Sequence, residues 1–443
     1  MLGTTFRGGV HPRDCKEFSR DAAPVVYDAK GEMVFPLSQH IGKPAKPLVK
    51  PGDPVLAGQK IAEADGYVSS PVYCSCSGTV KAIERRKTIL GESECIVVDN
   101  DRQFREGKGI GAEADEAQLS REEILRRIRE AGVVGMGGAS FPTPVKLEPK
   151  NPEGIEYIIV NGAECEPYIT CDDQLMRTHP KEIVRGLGIL LRLFPQAQGV
   201  ILIEENKPEA IAAIQEAMAG QSGMRLQIAP KKYPQGGERA IIKVVSGRDT
   251  QISQLPADAG CIVDNAATVY AVYEAVWRSM PLFRRIVSVT GTAVRNPGNF
   301  IVRAGTSCAE LLEAAGGVKE GAEIKKALSG GPMMGIALPS LNVPMQKGSG
   351  ALVLLAEDEA EQSVTKLTNC IRCGRCVEAC PMGLMPLLMA AAAQRKDYKR
   401  YEQKLYGLEC ITCGSCTWVC PAKRPLMQTF KDAKAAILSA RRK

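Results

Sequence analysis

Long apolar runs are missing from this sequence. Nowhere in its 443 residues is there an uninterrupted stretch near the ~18 to 20 apolar positions that a membrane-spanning helix needs. The opening MLGTTFRGGVHPRD also lacks the charged-then-apolar layout of a secretory leader, so the expectation is a soluble chain that stays in the cytoplasm. Histidine is scarce: His11, His40 and His179 are the three, and none is clustered, which argues against a histidine-held metal. No Ser-His-Asp set or acid–base pair is called for, and no residue is assigned a catalytic role. A global basic field is missing as well. The net charge is +7, but Lys423, Arg424, Lys431, Lys434, Arg441, Arg442 and Lys443 stand against Asp432 alone in the last stretch. That leaves about +1 for everything before it, and no nucleic-acid partner is expected.

What the sequence does have is cysteine, sixteen in all. In a large chain without an export signal, thiols stay reduced and metal binding is the better reading. Eight of them (Cys15, Cys74, Cys76, Cys95, Cys165, Cys171, Cys261, Cys308) are scattered and read as small, partly buried thiols. The other eight fall in two runs. CIRCGRCVEACP and CITCGSCTWVCP place Cys370, Cys373, Cys376 and Cys380, then Cys410, Cys413, Cys416 and Cys420, at the spacing C-x2-C-x2-C-x3-C-P. This is the bacterial ferredoxin run, in which the fourth cysteine crosses to the other [4Fe–4S] cluster. By that rule Cys370, Cys373, Cys376 and Cys420 hold one cluster, and Cys410, Cys413, Cys416 and Cys380 hold the second. A pair of zinc sites is the competing reading, but zinc takes four ligands from a closed set and has no use for the trailing C-P. Between the runs, an Ala-, Leu- and Met-rich linker reads as helix.

Upstream, VVGMGGASFPTPVKL (133–147) has the glycine density of a nucleotide loop. It is not a dinucleotide fingerprint. Gly135 and Gly137 fit, but Ser140 occupies the third glycine position, Pro142 and Pro144 follow, and a helix rather than a strand precedes it: SREEILRRIREAG, with a capping box at Ser120 and Glu123 and a stop at Gly132. What remains is a loop whose N–H groups can form an anion nest, with Lys146 close behind. Next, EYIIVNGAECEPY reads as a buried strand from Tyr157 to Val160 running into Asn161, Gly162, Glu164 and Glu166, the end at which open α/β sheets bind ligands. GVILIEENKPEAIAAIQEAM is a second strand–helix unit. YPQGGE puts Gly236 and Gly237 before a helix whose amides suit a phosphate, and CIVDNAATVYAVYEAV ends the alternation with Asp264 and Asn265 at a strand end.

These segments resemble the flavin- and NADH-binding subunit of respiratory complex I, whose pattern has GGAGFPTGLK, NADESEPG and YICGEE; here GGASFPTPVK, NGAECEPY and YPQGGE stand in the same order. The resemblance implies that Gly135, Gly137, Gly138 and Lys146 cradle the phosphate of FMN, with Asn161, Glu164, Gly236 and Gly237 along the flavin. It implies Phe141 stacked on the nicotinamide nucleotide, Glu166 and Glu238 shaping that pocket, and Asp264, Asn265 and Thr268 facing the flavin phosphate end. Met136 departs from the pattern's Arg, Ala163 from its Asp and Gly237 from its Glu.

The flanks extend the likeness. Residues 35–83 carry short β stretches with Pro-Gly-Asp and Ala-Gly turns and resemble a barrel-sandwich hybrid without a carrier lysine, for which a structural or docking role is expected. IVSVTGTAVRNPGNFIVRAGTSCAELLEAAGGV reads strand, turn at Asn296-Pro297-Gly298, strand, then a helix from about Ser307, and resembles a soluble ligand-binding β-grasp domain. Together these parts resemble the C-type component of Rnf electron transport complexes, ion-translocating ferredoxin:NAD oxidoreductases. The implied fold class is multidomain α/β plus β: a barrel-sandwich hybrid at 1–105, a Rossmann-like parallel-sheet FMN/NADH domain at 118–280, a β-grasp domain at 284–335, a helical ferredoxin-like two-cluster domain at 362–425 and a basic tail at 426–443, read as a solvated terminus.

The implied function is peripheral electron transfer: hydride exchange with NAD(H) through FMN and single-electron relay through two [4Fe–4S] clusters. Implied partners are the other Rnf subunits, integral membrane ones and a ferredoxin-type cluster protein among them, and the implied place is the cytoplasmic face of the cell inner membrane. Two alternatives stay open: a cobalamin reductase of the diol-utilisation type, and a cluster-bearing scaffold with an inactive flavin site.

Overall fold

The computed structural model describes residues 5–115, 119–250 and 254–441; residue 118, where the flavin domain is expected to begin, and Arg442 and Lys443 of the tail lie outside them. At the centre is a four-stranded sheet with spatial order Met224–Ala229, Gln198–Glu204, Tyr157–Gly162, Cys261–Asn265, every pair parallel. Side chains along its strands alternate between two apolar layers. Ile158, Val160, Ile201 and Ile203 join the core under helices Pro180–Leu193 and Ala266–Trp277, whereas Ile159, Val200 and Leu202 pack beneath Glu238–Ser246. A sheet buried on both faces is the normal condition of parallel strands, and it explains why these segments read as unbroken apolar runs. The chain leaves the first strand, builds outward on one side and returns to add the last strand on the other. That reversal opens a crevice at the carboxyl ends of Tyr157–Gly162 and Cys261–Asn265.

The helix before the glycine loop is Arg121–Glu130; Ser120 accepts the Glu123 N–H at 3.2 Å, and Gly132 closes the helix at φ 66°. The capping box is half formed, because the Glu123 carboxylate turns to Arg126 and Arg127 instead of the Ser120 amide.

Ahead of this domain, an antiparallel four-stranded sheet (Met33–Pro36, Gly91–Asn100, Gly78–Thr88, Pro54–Val55) and a three-stranded one (Lys46–Pro47, Lys60–Glu63, Val72–Tyr73) enclose a core of Met33, Phe35, Ile61, Val72, Val80, Ile96 and Val98. Of the described residues before Met33, Ala29 joins that core and the rest pack elsewhere. Val10 bridges Tyr233, the Gly9 N–H donates to the Ala379 carbonyl at 3.0 Å, and Val25–Tyr27 adds a parallel edge strand to Gly298–Arg303. The N-terminal stretch is thus a strap over three other parts of the molecule.

Past residue 283 lies a mixed six-stranded sheet, ordered Val25–Tyr27, Gly298–Arg303, Arg284–Thr290, Ala351–Leu355, Lys326–Ser329, Ile336–Ala337. The expected helix, Cys308–Ala314, is capped by Ser307, which accepts the Glu310 N–H at 3.2 Å. The C-terminal part is helical, and its sequence repeat is a backbone repeat. Gly374 (φ 80°) and Gly414 (φ 81°) each open a four-residue helix, Arg375–Glu378 and Ser415–Trp418, in a left-handed conformation that side chains rarely adopt. Longer helices Pro386–Gln394 and Leu426–Arg441 follow. The linker is two helices rather than one, Pro386–Gln394 and Tyr398–Gln403, broken at Lys396 (φ 57°).

Candidate functional site

The glycine loop lies over the crevice. Val134 and Pro142 pair across its base and the Gly135 N–H donates to the Phe141 carbonyl at 2.8 Å, so the loop closes on itself and Phe141 sits half-buried at its far limb. Two contacts hold it on the domain. The Met136 N–H donates to the Thr268 hydroxyl at 2.8 Å, and Gly137 approaches Asn265 so closely that a Cβ there would lie 3.1 Å from the amide nitrogen. Gly137 has φ 94°, whereas a Cβ on Gly138 would meet nothing within 4 Å: one glycine is needed for close approach, the other leaves a face open.

Asn265 is a hub. Its Oδ1 caps the following helix by accepting the Ala267 N–H at 2.8 Å, and its Nδ2 donates to Asp172 at 2.5 Å. The Asp172 N–H in turn donates to Glu164 at 2.7 Å. Asn161 donates to the Gly236 carbonyl at 2.9 Å, joining the first strand's end to the YPQGG loop. Loop, strand ends and second glycine pair are therefore one connected set.

Lys146 is turned toward the sheet end rather than left free behind the loop. Its ammonium donates to the Val263 carbonyl at 2.7 Å and faces Asp264 at 3.4 Å and Glu238 at 3.8 Å. Burial works against its charge, but Asp264 and Glu238 outweigh it and hold the pKa above the ordinary lysine value. Burial also pushes the Asp264 and Glu238 carboxyls up. The loop's anion affinity in this conformation consequently rests on its amides.

The two glutamates around Cys165 have different settings. Glu164 lies beside the buried Lys16 at 3.4 Å, and burial pushes its carboxyl to about 7. Glu166 accepts the amides of Met333 at 3.0 Å and Met334 at 2.8 Å, with Tyr233 Oη at 3.4 Å. Burial raises it to about 7 as well. Its carboxylate thereby ties the crevice to a loop of the six-stranded domain.

The residues fit the groups expected of them. Among the buried side-chain atoms lacking a partner are Thr143 Oγ1, Asp264 Oδ2 and both amide atoms of Gln235, all on segments of this set. Unpaired buried polar atoms are costly without a ligand, and a flavin nucleotide offers both donors and acceptors. All sixteen cysteines are free thiols. Burial raises the Cys376 and Cys416 thiols, and neighbouring thiols add to it: Cys420, Cys370 and Cys373 at the first, Cys410, Cys413 and Cys380 before Cys376 at the second. Cys420 thus stands near the thiols of the first run, and Cys380 near those of the second. The second set lines one pocket together with Met389, Met427 and Phe430, and backbone amides already donate to its sulfurs: Leu384 to Cys380 and Thr412 to Cys410, each at 3.4 Å. Amide donors on the sulfurs are a feature of cluster sites.

The cluster module is joined to the flavin-type domain through the second set. Tyr233, 1% exposed, donates its hydroxyl to the Cys413 carbonyl at 2.7 Å, and Arg239 pairs with Glu409 at 2.7 Å. Tyr233, Asp172, Gln235 and Lys16 were not singled out from sequence. Tyr233 and Gln235 directly precede a glycine pair that was; Lys16 had no local signal at all.

A flavin-type α/β domain docked on a two-cluster module defines an FMN and iron–sulfur electron-transfer protein. Family models agree part by part: a Nuo51 FMN-binding domain at 128–274, an RnfC barrel sandwich hybrid domain at 4–103, an SLBB domain at 286–337 and a 4Fe-4S dicluster domain at 362–421. The C-type component of the proton-translocating ferredoxin:NAD(+) oxidoreductase complex of Clostridium ljungdahlii is 39% identical over 97% of this chain and 93% of its own length. Its counterpart in the Na(+)-translocating complex of Acetobacterium woodii is 37% identical over 99% and 98%, and that in the ion-translocating oxidoreductase complex of Vibrio cholerae is 39% identical over 90% and 51%. The chain belongs to this family, the C-type components of the Rnf complexes. A chain of an NAD+-reducing [NiFe]-hydrogenase shares the fold, with a TM-score of 0.51 at 18% identity over 72% of this chain and 63% of that one.

Proposed function

We propose that this chain is the peripheral subunit of a membrane-bound ion-translocating ferredoxin:NAD oxidoreductase that exchanges electrons with NAD(H) and relays them singly. The observation that carries this reading is the contact of Tyr233 with Cys413: the loop at the flavin crevice and a ligand loop of the second cluster are in direct hydrogen-bonded contact. Bound FMN supplies the change from two-electron hydride chemistry to one-electron transfer, and the protein's task is placement and electrostatics.

The chain's own residues divide that task. Amides of Gly137 and Gly138 would hold the cofactor phosphate, with Gly135 closing the loop that presents them; Asn161, Glu164, Gly236 and Gly237 would line the ring; Asn265 and Thr268 hold the loop in place. Lys146, facing Asp264 and Glu238 and donating to the Val263 carbonyl, ties the helix after the glycine loop to the strand end. Phe141 and Glu238 border the nicotinamide nucleotide, while Glu166 ties the crevice to the neighbouring domain. Cys380, Cys410, Cys413 and Cys416 hold the inner cluster, and Cys370, Cys373, Cys376 and Cys420 the outer one. The α/β domain is Rossmann-like, and we read the six-stranded domain as a β-grasp, which its parallel central pair and single crossing helix support.

Among the described residues no helix is long and apolar enough to cross a membrane. Attachment at the cytoplasmic face of the inner membrane is therefore assigned to integral partner subunits. Anaerobic reconstitution with FMN and iron tests the whole reading. NADH is expected to bleach both the flavin band and the cluster absorbance, with about eight irons per chain. Zinc in place of iron, or a flavin band that NADH leaves untouched, refutes it.

A further inference from the structure

The two cysteine runs repeat one another in sequence, yet the cover over them differs. In the outer set Cys370 and Cys373 are exposed, whereas Cys380, Cys413 and Cys416 of the inner set are buried. A Cβ on Gly374 of the first run would meet nothing within 4 Å; one on its counterpart Gly414 would lie 3.2 Å from the Met333 carbonyl oxygen. Because the runs are alike, the added cover has to come from outside them. One part of it is the N-terminal strap at residues 6–10.

The strap is fixed residue by residue. Phe6 is buried in one core with Ile241 and Val245 of the α/β domain, and Lys232 donates to its carbonyl at 2.6 Å. Val10 exchanges two hydrogen bonds with Tyr233, at 2.8 and 2.9 Å, and is buried in a small apolar cluster with Ala379 and Cys413. Between them Gly8 and Gly9 take left-handed φ values of 71° and 82°, and neither has room for a side chain. A Cβ on Gly9 would lie 2.6 Å from the Tyr233 carbonyl oxygen; one on Gly8 would lie 2.6 Å from the Cys380 carbonyl oxygen and 3.0 Å from the Pro381 nitrogen. Gly8 therefore lies directly on the peptide between Cys380 and Pro381, pinned there by the Gly9 N–H, which donates to the Ala379 carbonyl at 3.0 Å. The ligand loop is wound on that same peptide: the Cys380 carbonyl accepts the Gly383 N–H at 3.2 Å, and the Cys380 sulfur accepts the Leu384 N–H at 3.4 Å.

We infer that the strap at residues 6–10 is a wall of the inner cluster's site and that Gly8 is a positioning residue for Cys380, keeping water from its peptide and holding the amide–sulfur geometry of the loop behind it. The inference rests on the relay reading, under which the inner set holds a cluster, and adds that the chain's N-terminus helps to set that cluster's potential. Amide donors on the sulfurs and exclusion of water are two of the levers on an iron–sulfur potential. Reduction adds negative charge to an already anionic site, which a dry wall disfavours and water favours. The strap thus lowers the inner potential relative to the outer one, separating two sites that have the same ligand spacing.

The test uses the full chain reconstituted anaerobically with FMN and iron. Gly8→Ala adds the Cβ for which the Cys380 carbonyl leaves no room. Gly109→Ala, at φ 84° with nothing within 4 Å, is the control that carries the backbone strain without the contact. Both potentials are read by titration with dithionite and mediators under electron paramagnetic resonance, the inner signal being the one that Cys416→Ser removes. Gly8→Ala is expected to raise the inner potential, leave the outer one unmoved and speed hydrogen exchange at the Gly9 and Val10 amides about tenfold, while Gly109→Ala changes none of these. Val10→Ala, which keeps the backbone bonds and opens the apolar cluster, is expected to shift the inner potential in the same direction and keeps the test decisive where Gly8→Ala does not fold. An unchanged inner potential in either strap variant overturns the inference, as does an equal shift of both clusters or one that Gly109→Ala reproduces. The titration needs no NADH, so wild-type clusters that titrate normally but that NADH fails to reduce sink the relay reading alone.

Discussion

Replacing Tyr233 by phenylalanine removes one oxygen from the junction between the two redox parts. The ring is 1% exposed and stays in place, so no cavity forms and the large-to-small penalty does not apply. What is lost is the donor to the Cys413 carbonyl at 2.7 Å. Cys413 is itself 7% exposed, and a buried carbonyl left without its donor costs about 1–3 kcal/mol. The contact with Glu166 at 3.4 Å is lost too, but that carboxylate keeps the Met333 and Met334 amides. The cost therefore falls on the docking of the cluster loop and not on the parallel sheet, whose strands hydrogen-bond one another. Hydrogen exchange reads this locally. Amides from 410 to 418 are expected to lose protection by roughly 5- to 30-fold, the equivalent of 1–2 kcal/mol, while those of Tyr157–Gly162 hold. In the iron-loaded protein the inner cluster's reduction potential should shift, because the Cys413 peptide is a second-layer contact of that site. Unchanged exchange at 410–418, or a loss spread evenly over the sheet, would refute the assignment of Tyr233 to this junction.

Two further outcomes follow from the same geometry. Cys380→Ser is expected to halve the iron content and abolish the electron paramagnetic signal of the cluster held by the second run, although Cys380 lies in the first; loss of the first run's signal instead would disprove the crossed pairing. Glu166→Gln addresses pH. Burial raises this carboxyl to about 7 from 4.5, so between those values the folded chain binds a proton that the unfolded chain has released, and its contribution to stability declines as pH rises through that window. Glu166→Gln should flatten that decline in denaturant titrations run from pH 5 to 8, and a variant with the wild-type slope would show that Glu166 is not its source.

The cysteine spacing, the strand–helix alternation and the glycine loops were legible because each is a local pattern with a local cause. Three thiolates at a fixed short spacing wrap one corner of a cluster wherever they occur, strands buried on both faces must be apolar throughout, and Ser120 and Ser307 cap their helices by contacts within three residues. The expectation that Cys380 and Cys420 cross between clusters came from the repeat of the two runs. Roles that depend on what approaches from elsewhere were not. Lys146 follows the glycine loop by a few positions, yet Asp264 and Glu238, about a hundred residues on, decide where its charge lies. Nothing in the NGAECEPY segment foretells that Glu166 accepts the amides at 333 and 334, about 170 residues on.

By itself, then, the sequence determined the parts: a parallel α/β unit with a nucleotide-type crevice, a sheet module before it, a strand–turn–strand–helix unit after it, and eight cysteines set out for two clusters. Only the tertiary structure decided their order in space. Which cluster faces the flavin crevice and which faces outward depends on Tyr233 reaching Cys413, on Arg239 reaching Glu409, and on the strap that carries Gly9 to Ala379. Such contacts join residues up to several hundred positions apart. Each depends on shape and hydrogen-bond geometry between surfaces, a quantity that no periodicity or spacing along one chain encodes.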